Sequence, residues 1–276
     1  MPPDTLHILG YASSFLIGIS LGLIGGGGSI LTVPVLVYLL GVEPVMATAY
    51  SLFIVGLSSL VGAYPKYREG LVDLRTAAVF GIPSIAAVFV TRSLIVPAIP
   101  ETIGRLGEVT VTRGVLMLLL FATLMVAASI SMIRNTPPQR QETSSGERVF
   151  NYPMILLEGA VVGVLTGLVG AGGGFLIIPA LVLLSGLSMK HAVGTSLLII
   201  AAKSLIGFLA DATRYAMDWR LLSIVTAIAM AGILAGNRVS RRIDGDRLKT
   251  GFGWFVLVMG LYILVREGLM GGGGSH

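Results

Sequence analysis

The sequence predicts an all-α polytopic membrane protein built from two homologous helical repeats, each interrupted by a glycine-rich break. Three observations carry that expectation: a composition too apolar for water, apolar runs near the length of a membrane helix, and a second half that copies the first. Of 276 residues, 54% are hydrophobic and 12% charged, with a mean hydropathy of +0.89. Soluble domains carry about 25% charged residues. A soluble enzyme with so few charges could not cover its surface, and the same apolar content excludes a disordered chain. The net charge of +5 does not point to nucleic acid, because Lys and Arg lie in short clusters between apolar runs, as in cytosolic loops. There is no cysteine, which removes disulfides and thiolate metal sites, and three histidines cannot supply a multi-His site. No metal and no cofactor are expected.

The elements follow in order. Met1 to His7 contains Asp4 and no basic leader, so the first apolar run is expected to stay in the mature protein. Apolar runs fall at about 8–24, 29–41, 45–64, 74–91 and 113–133. A stretch rich in Pro, Ser and mixed charge, 134–150, reads as an exposed linker. Further apolar runs fall at about 153–170, 174–186, 189–210, 219–237 and 250–265. The expected organisation is therefore a first transmembrane repeat at 1–133, a linker at 134–150 and a second repeat at 151–270. The terminal GGGGSH at 271–276 reads as an appended tail outside the fold.

Shifting the first half by 145 residues lays Gly22–Pro34 on Gly167–Pro179, and the register holds without a gap to Asp73 and Arg75 on Asp218 and Arg220. About 20 of those 54 positions are identical. Duplication with glycine-interrupted apolar segments at matching places is the mark of a secondary transporter. If 8–41 is one crossing, each half crosses four times, the repeats are parallel, and the basic loop residues split nine to nine. If 8–24 and 29–41 form a re-entrant pair, each half crosses three times and the repeats are inverted. Twelve basic residues then lie on one side and six on the other, Arg92 among the six. That bias favours the inverted arrangement with both termini outside.

The candidate chemistry starts at the breaks. Four consecutive glycines, Gly25, Gly26, Gly27 and Gly28, cannot continue a membrane helix, and neither can Gly170, Gly172, Gly173 and Gly174. Broken backbone at membrane depth must face protein or a wet cavity. A helix restarting at Ser29 or Phe175 has free N–H groups and the positive end of its dipole, which together favour an anion. The competing reading is that these glycines only let helices pack closely. On the following segment, Ser51 and Ser58 lie seven residues apart on one face, and Ser196 and Lys203 repeat that spacing, with Thr48 and Thr195 beside them. Their hydroxyls are candidates to donate to an oxyanion, or else they bond their own helix carbonyls. Lys203 is the basic residue well inside an apolar run, which marks it either as a partner for a charged substrate or as a side chain snorkelling toward the interface near Asp211. Asp73 and Asp218 at repeated helix starts read as caps.

In the duplicated Gly22–Pro34 and Gly167–Pro179 motifs, followed by Ala47–Leu52 and Ala192–Leu197, the chain resembles the TauE/SafE family of membrane anion permeases over about residues 8–267. The resemblance implies a secondary transporter, not an enzyme, for small sulfur-containing oxyanions such as sulfite or organosulfonates, coupled to protons and working by alternating access. Its implied partners are an anion of the sulfite, sulfate or sulfonate class and membrane lipid, without nucleic acid, and a homodimer is compatible with it. The implied place is the inner membrane of a bacterial or archaeal cell. A passive anion channel is the alternative. Tyr50 stands where the second half has Thr195, and Ser29 where it has Gly174, so two unequal half-sites are expected.

Overall fold

Each long apolar run becomes a helix, because in hydrocarbon a helix satisfies its own backbone polar groups. The computed structural model describes residues 3–106, 109–134, 152–170, 172–183, 186–240 and 245–269. Helix α1 (Pro3–Ile24) ends at the first glycine run and is followed by a tight 3₁₀ stretch, Gly26–Leu31, and the short α2 (Thr32–Tyr38). Then come α3 (Pro44–Arg68), α4 (Leu74–Val90), a π-helical turn (Thr91–Ile95) and α5 (Val96–Ala98). Strands β1 (Thr102–Leu106) and β2 (Val109–Thr112) lead to α6 (Arg113–Arg134). The second half has α7 (Tyr152–Val169), α8 (Gly174–Leu183), α9 (Met189–Ala212), α10 (Trp219–Ser240) and α11 (Gly245–Leu269). Apart from Arg134, the expected linker lies outside the described residues, as does the 271–276 tail.

The antiparallel β1–β2 hairpin corrects the expectation of a purely helical chain. Its Val-Thr-Val-Thr run alternates β-branched residues, but four residues are too few to stand out between two apolar runs.

Among the described residues, four helical segments are long and apolar enough to cross a membrane: Pro44–Arg68, Leu74–Ala98, Met189–Ala212 and Trp219–Ser240. Polarity is turned inside out. Leu157 and Ile82 are 67% and 66% exposed, whereas Ser51, Ser58 and Ser204 are fully buried. Water would penalise that distribution and lipid rewards it.

Helix α1 packs along α10, α4 along α7, α3 along α9, and α6 along α11. The α1–α10 contact is backbone on backbone. Added Cβ atoms at Gly18 and Gly22 would overlap the Ala229 and Ile233 carbonyl oxygens, and those at Gly232 and Gly236 would overlap the carbonyls of Phe15 and Ile19. Small residues four apart allow this approach, and in lipid close packing stands in for the missing hydrophobic drive.

Caps fix where the helices begin. The Glu43 carboxylate accepts from Val45 and Met46 N–H at 3.1 and 3.0 Å at the start of α3. Asp73 accepts from Thr76 N–H at 2.9 Å before α4, and Asp218 from Arg220 and Leu221 N–H, each at 3.0 Å, before α10. The N–H of each Asp is itself held across the bundle. Asp73 N–H donates to Thr195 Oγ1 at 2.9 Å, and Asp218 N–H to the Tyr50 hydroxyl at 2.6 Å. Thr195→Val leaves a partly buried N–H unpaired and is expected to lower stability by about 1–3 kcal/mol. A melting temperature equal to wild type in detergent would contradict that role.

Candidate anion site at the glycine breaks

Past the first break the chain turns back along α1. Gly28 lies against Ile17, Ser20 and Leu21, and Gly10 lies against Leu40. Gly25, Gly26, Gly27 and Gly28 thus form the tip of a helical hairpin. Gly25, at φ 74°, faces α9, where a Cβ would come 3.1 Å from Val193 and 3.2 Å from Ser196 Oγ. Gly28 faces α1, so close packing accounts for that glycine. In the second half, Gly173 lies against Thr166 of α7, and Gly174 begins α8. The two tips touch, because a Cβ added to Gly26 would overlap the backbone of Gly174 and the reverse also holds.

The second tip carries the buried basic groups. Lys203 is 1% exposed. Its Nζ donates to Thr166 Oγ1 at 2.9 Å, and it lies 2.7 Å from where a Cβ on Gly173 would be. The amine therefore points inward and does not snorkel. Asp211, the acid expected near it, pairs with another residue, and among the described residues no carboxylate forms an ion pair with Lys203. Gly172, at φ 64°, faces Val55, Ile200 and the Ser204 hydroxyl.

The remaining predicted residues divide. Ser29 Oγ donates to the Gly26 carbonyl at 2.7 Å, and Ser196 Oγ to the Val193 carbonyl at 2.9 Å, so both bond their own turn. Thr195 serves Asp73. Ser51 is different: its hydroxyl is buried and has no partner among the described residues, and the same is true of Ser58, Ser59 and Ser204. Buried hydroxyls are ordinarily bonded. Of these four, Ser204 lies beside Gly172 of the second tip.

Arg92 was expected in a loop, and the structure corrects this. It is fully buried in the π-helical turn after α4. Its Nη1 donates to Asp211 Oδ2 at 2.9 Å and to Thr48 Oγ1 at 3.0 Å. Its Nη2 lies 2.5 Å from where a Cβ on Gly170 would be. Arg214 braces the turn by donating to the Ser93 carbonyl at 2.6 Å. One sequence signal pointed to this placement, since the apolar run resumes after Ser93 and continues to Ile99. Thr166, the partner of Lys203, gave no sequence signal. With 145 subtracted, Lys203, Thr166 and Asp211 fall on Ser58, Leu21 and Lys66, while Arg92 advances onto Asn237.

Lipid-facing apolar helices around a buried polar centre define a multi-pass integral membrane protein. Residues 11–263 match the profile described as "Sulfite exporter TauE/SafE", and the chain belongs to this family of membrane transporters. It is 31% identical over 269 residues to a "Probable membrane transporter protein" of Xylella fastidiosa (strain 9a5c), covering 94% of this chain and 95% of that one. It is 27% identical to the "Probable membrane transporter protein YdhB" of Bacillus subtilis (strain 168), over 91% of this chain and 97% of that one. Identity to the "Probable membrane transporter protein MJ0441" of Methanocaldococcus jannaschii is 25%, over 91% of this chain and 92% of that one. No solved structure is significantly similar to it.

Proposed function

We propose that this protein is a secondary transporter for small sulfur-containing oxyanions, sulfite or organosulfonates, moved by alternating access and coupled to protons. The observation that carries the reading is Lys203: a buried amine, with no carboxylate ion-paired to it among the described residues, set against Gly173 where α8 begins. A buried basic group in a membrane interior normally faces a partner or a substrate path. The positive end of the α8 helix dipole adds a second element of positive potential at the same place. The family description, which names sulfite export, supplies the substrate class.

The architecture under this proposal is a pair of inverted repeats whose broken segments meet at the centre. Several contacts support it. The α1–α10 and α7–α4 packings exchange under the 145-residue shift, α3–α9 maps onto itself, and α6 and α11, the last helix of each half, pack on each other. Tyr50 and Thr195, different residues at equivalent positions, each hold the N–H of the other half's Asp cap. The first half also doubles back at its glycine run, with Gly28 against Ile17 and Gly10 against Leu40, as a re-entrant pair does. Substrate contacts then fall to Gly170, Gly172, Gly173, Gly174, Lys203 and the free hydroxyl of Ser51. Gly25, Gly26, Gly27, Gly28, Ser29, Thr195 and Ser196 shape the facing wall.

Sulfite uptake into proteoliposomes under an imposed pH gradient tests the reading. Lys203→Ala and Gly172→Leu are expected to lower uptake by on the order of ten- to a hundredfold, the loss of one or more charge-assisted hydrogen bonds. Wild-type rates in both variants would end the site assignment. Fast flux indifferent to the gradient would replace the transporter with a channel.

A further inference from the structure

The hydrogen bonds of Arg92 divide its guanidinium into two parts. Nη1 is fully engaged, donating to Asp211 Oδ2 at 2.9 Å and Thr48 Oγ1 at 3.0 Å. Thr48 is held in turn, because its hydroxyl donates to the Val45 carbonyl at 2.7 Å. Nε and Nη2 are buried and have no partner among the described residues. These two nitrogens form one edge of the planar group, with parallel N–H bonds, the geometry that grips two oxygens of a single oxyanion. An arginine that served only to neutralise Asp211 would leave this edge buried and unpaired, and each unpaired buried donor is costly.

The position of the edge matters as much as its geometry. Nη2 abuts Gly170, and Lys203 Nζ abuts Gly173, three residues further along. Consecutive Cα atoms are 3.8 Å apart, so those two glycines are separated by at most about 11 Å. One broken segment therefore has a basic side chain at either end. The π-helical turn supplies the offset that brings Arg92 inward, and such turns recur at functional sites. Asp211 neutralises one of the two basic groups, which leaves the pair suited to an anion.

We infer that Arg92 is an oxyanion-binding residue of the transport site: its Nε–Nη2 edge takes two oxygens of the substrate, and Asp211 and Thr48 position it. The inference rests on the anion reading above and adds a geometric demand. The site selects anions presenting two adjacent oxygens on one centre over anions of equal charge that lack them. A spherical or linear anion engages Lys203 but not the fork.

The test is anion binding by the purified full-length protein in nanodiscs, using sulfite, methanesulfonate, acetate, inorganic phosphate, chloride and thiocyanate as probes. Wild type is expected to bind sulfite and methanesulfonate in preference to chloride and thiocyanate. Arg92→Lys keeps the charge and loses the fork, so the preference should disappear and sulfite should bind on the order of ten- to a hundredfold more weakly. If Arg92→Lys does not fold, the double variant Arg92→Gln with Asp211→Asn removes both charges together and reads out the same loss. Wild-type affinity and preference in a folded Arg92→Lys or double variant, with binding lost in Lys203→Ala, would overturn the inference and leave the anion site standing. Binding of acetate or phosphate but of neither sulfur oxyanion would support the fork and reject the substrate class. No binding of any probe by wild type would reject both.

Discussion

Alanine at Gly26 is expected to prevent accumulation of folded protein, and alanine at Gly174 should do the same. Each added methyl group falls on the backbone of the opposing glycine, and at Gly26 it also meets Ile200 Cδ1 at 2.5 Å. A side chain in the way can change rotamer, but an opposing backbone cannot. Carbon atoms need about 3.5–4.0 Å, so the two hairpin tips would have to separate. Separation pulls Gly25 off Val193 and Gly173 off Thr166, because each tip is packed against further helices. Overpacking commonly costs about 1–3 kcal/mol and more where nothing can yield, against a total stability of about 5–15 kcal/mol. Gly41→Ala is the control. It too has positive φ, at 67°, but a Cβ there meets nothing within 4 Å, so only the left-handed strain of about 1–2 kcal/mol applies. Size-exclusion profiles and melting curves in detergent separate the cases. A monodisperse Gly26→Ala protein melting like wild type would show that the tips do not meet.

The ends of α1 at Ile24 and α7 at Val169 were legible because glycine runs are a property of the string alone. Two helix starts were legible for a similar reason, since capping by Asp73 and Asp218 is local chemistry, whereas the Glu43 cap of α3 was not read from the sequence. What each side chain touches was less so. Ser51 and Ser196 look equivalent in sequence, yet Ser196 bonds its own turn while Ser51 stays free. A hydroxyl can serve its own backbone or another group, and only the neighbouring helix decides. Arg92 was misplaced because a positive charge near the end of an apolar run ordinarily sits at the interface. Whether it turns inward depends on the π-helical register and on Asp211 waiting in α9. Asp211 is eight residues from Lys203, which at 1.5 Å per residue sets them about 12 Å apart along the axis of α9, too far for the two to pair. Its ion-pair partner comes instead from the π-helical turn after α4, which packs on α9.

Removing Asp211 alone should be far more damaging than removing its charge together with that of Arg92. Asp211→Ala leaves a guanidinium, fully buried among helices, with one hydrogen bond to Thr48 and no compensating charge. Breaking one side of a buried pair costs about 3–5 kcal/mol, whereas replacing both sides together is often close to neutral. The double variant Arg92→Gln with Asp211→Asn retains side chains able to bond each other and is expected to fall within about 1 kcal/mol of wild type, the range of a single neutral hydrogen bond. The measurement is thermal or denaturant unfolding in matched detergent, without added anion. The two roles assigned to the pair then separate. Stability depends on the pair being balanced, so the double variant regains it. Oxyanion binding depends on the free edge of the guanidinium, so the double variant does not regain that. A double variant as unstable as Asp211→Ala would mean that the fold requires the ion pair itself, and that selection for a rigid α4–α9 contact accounts for the arginine.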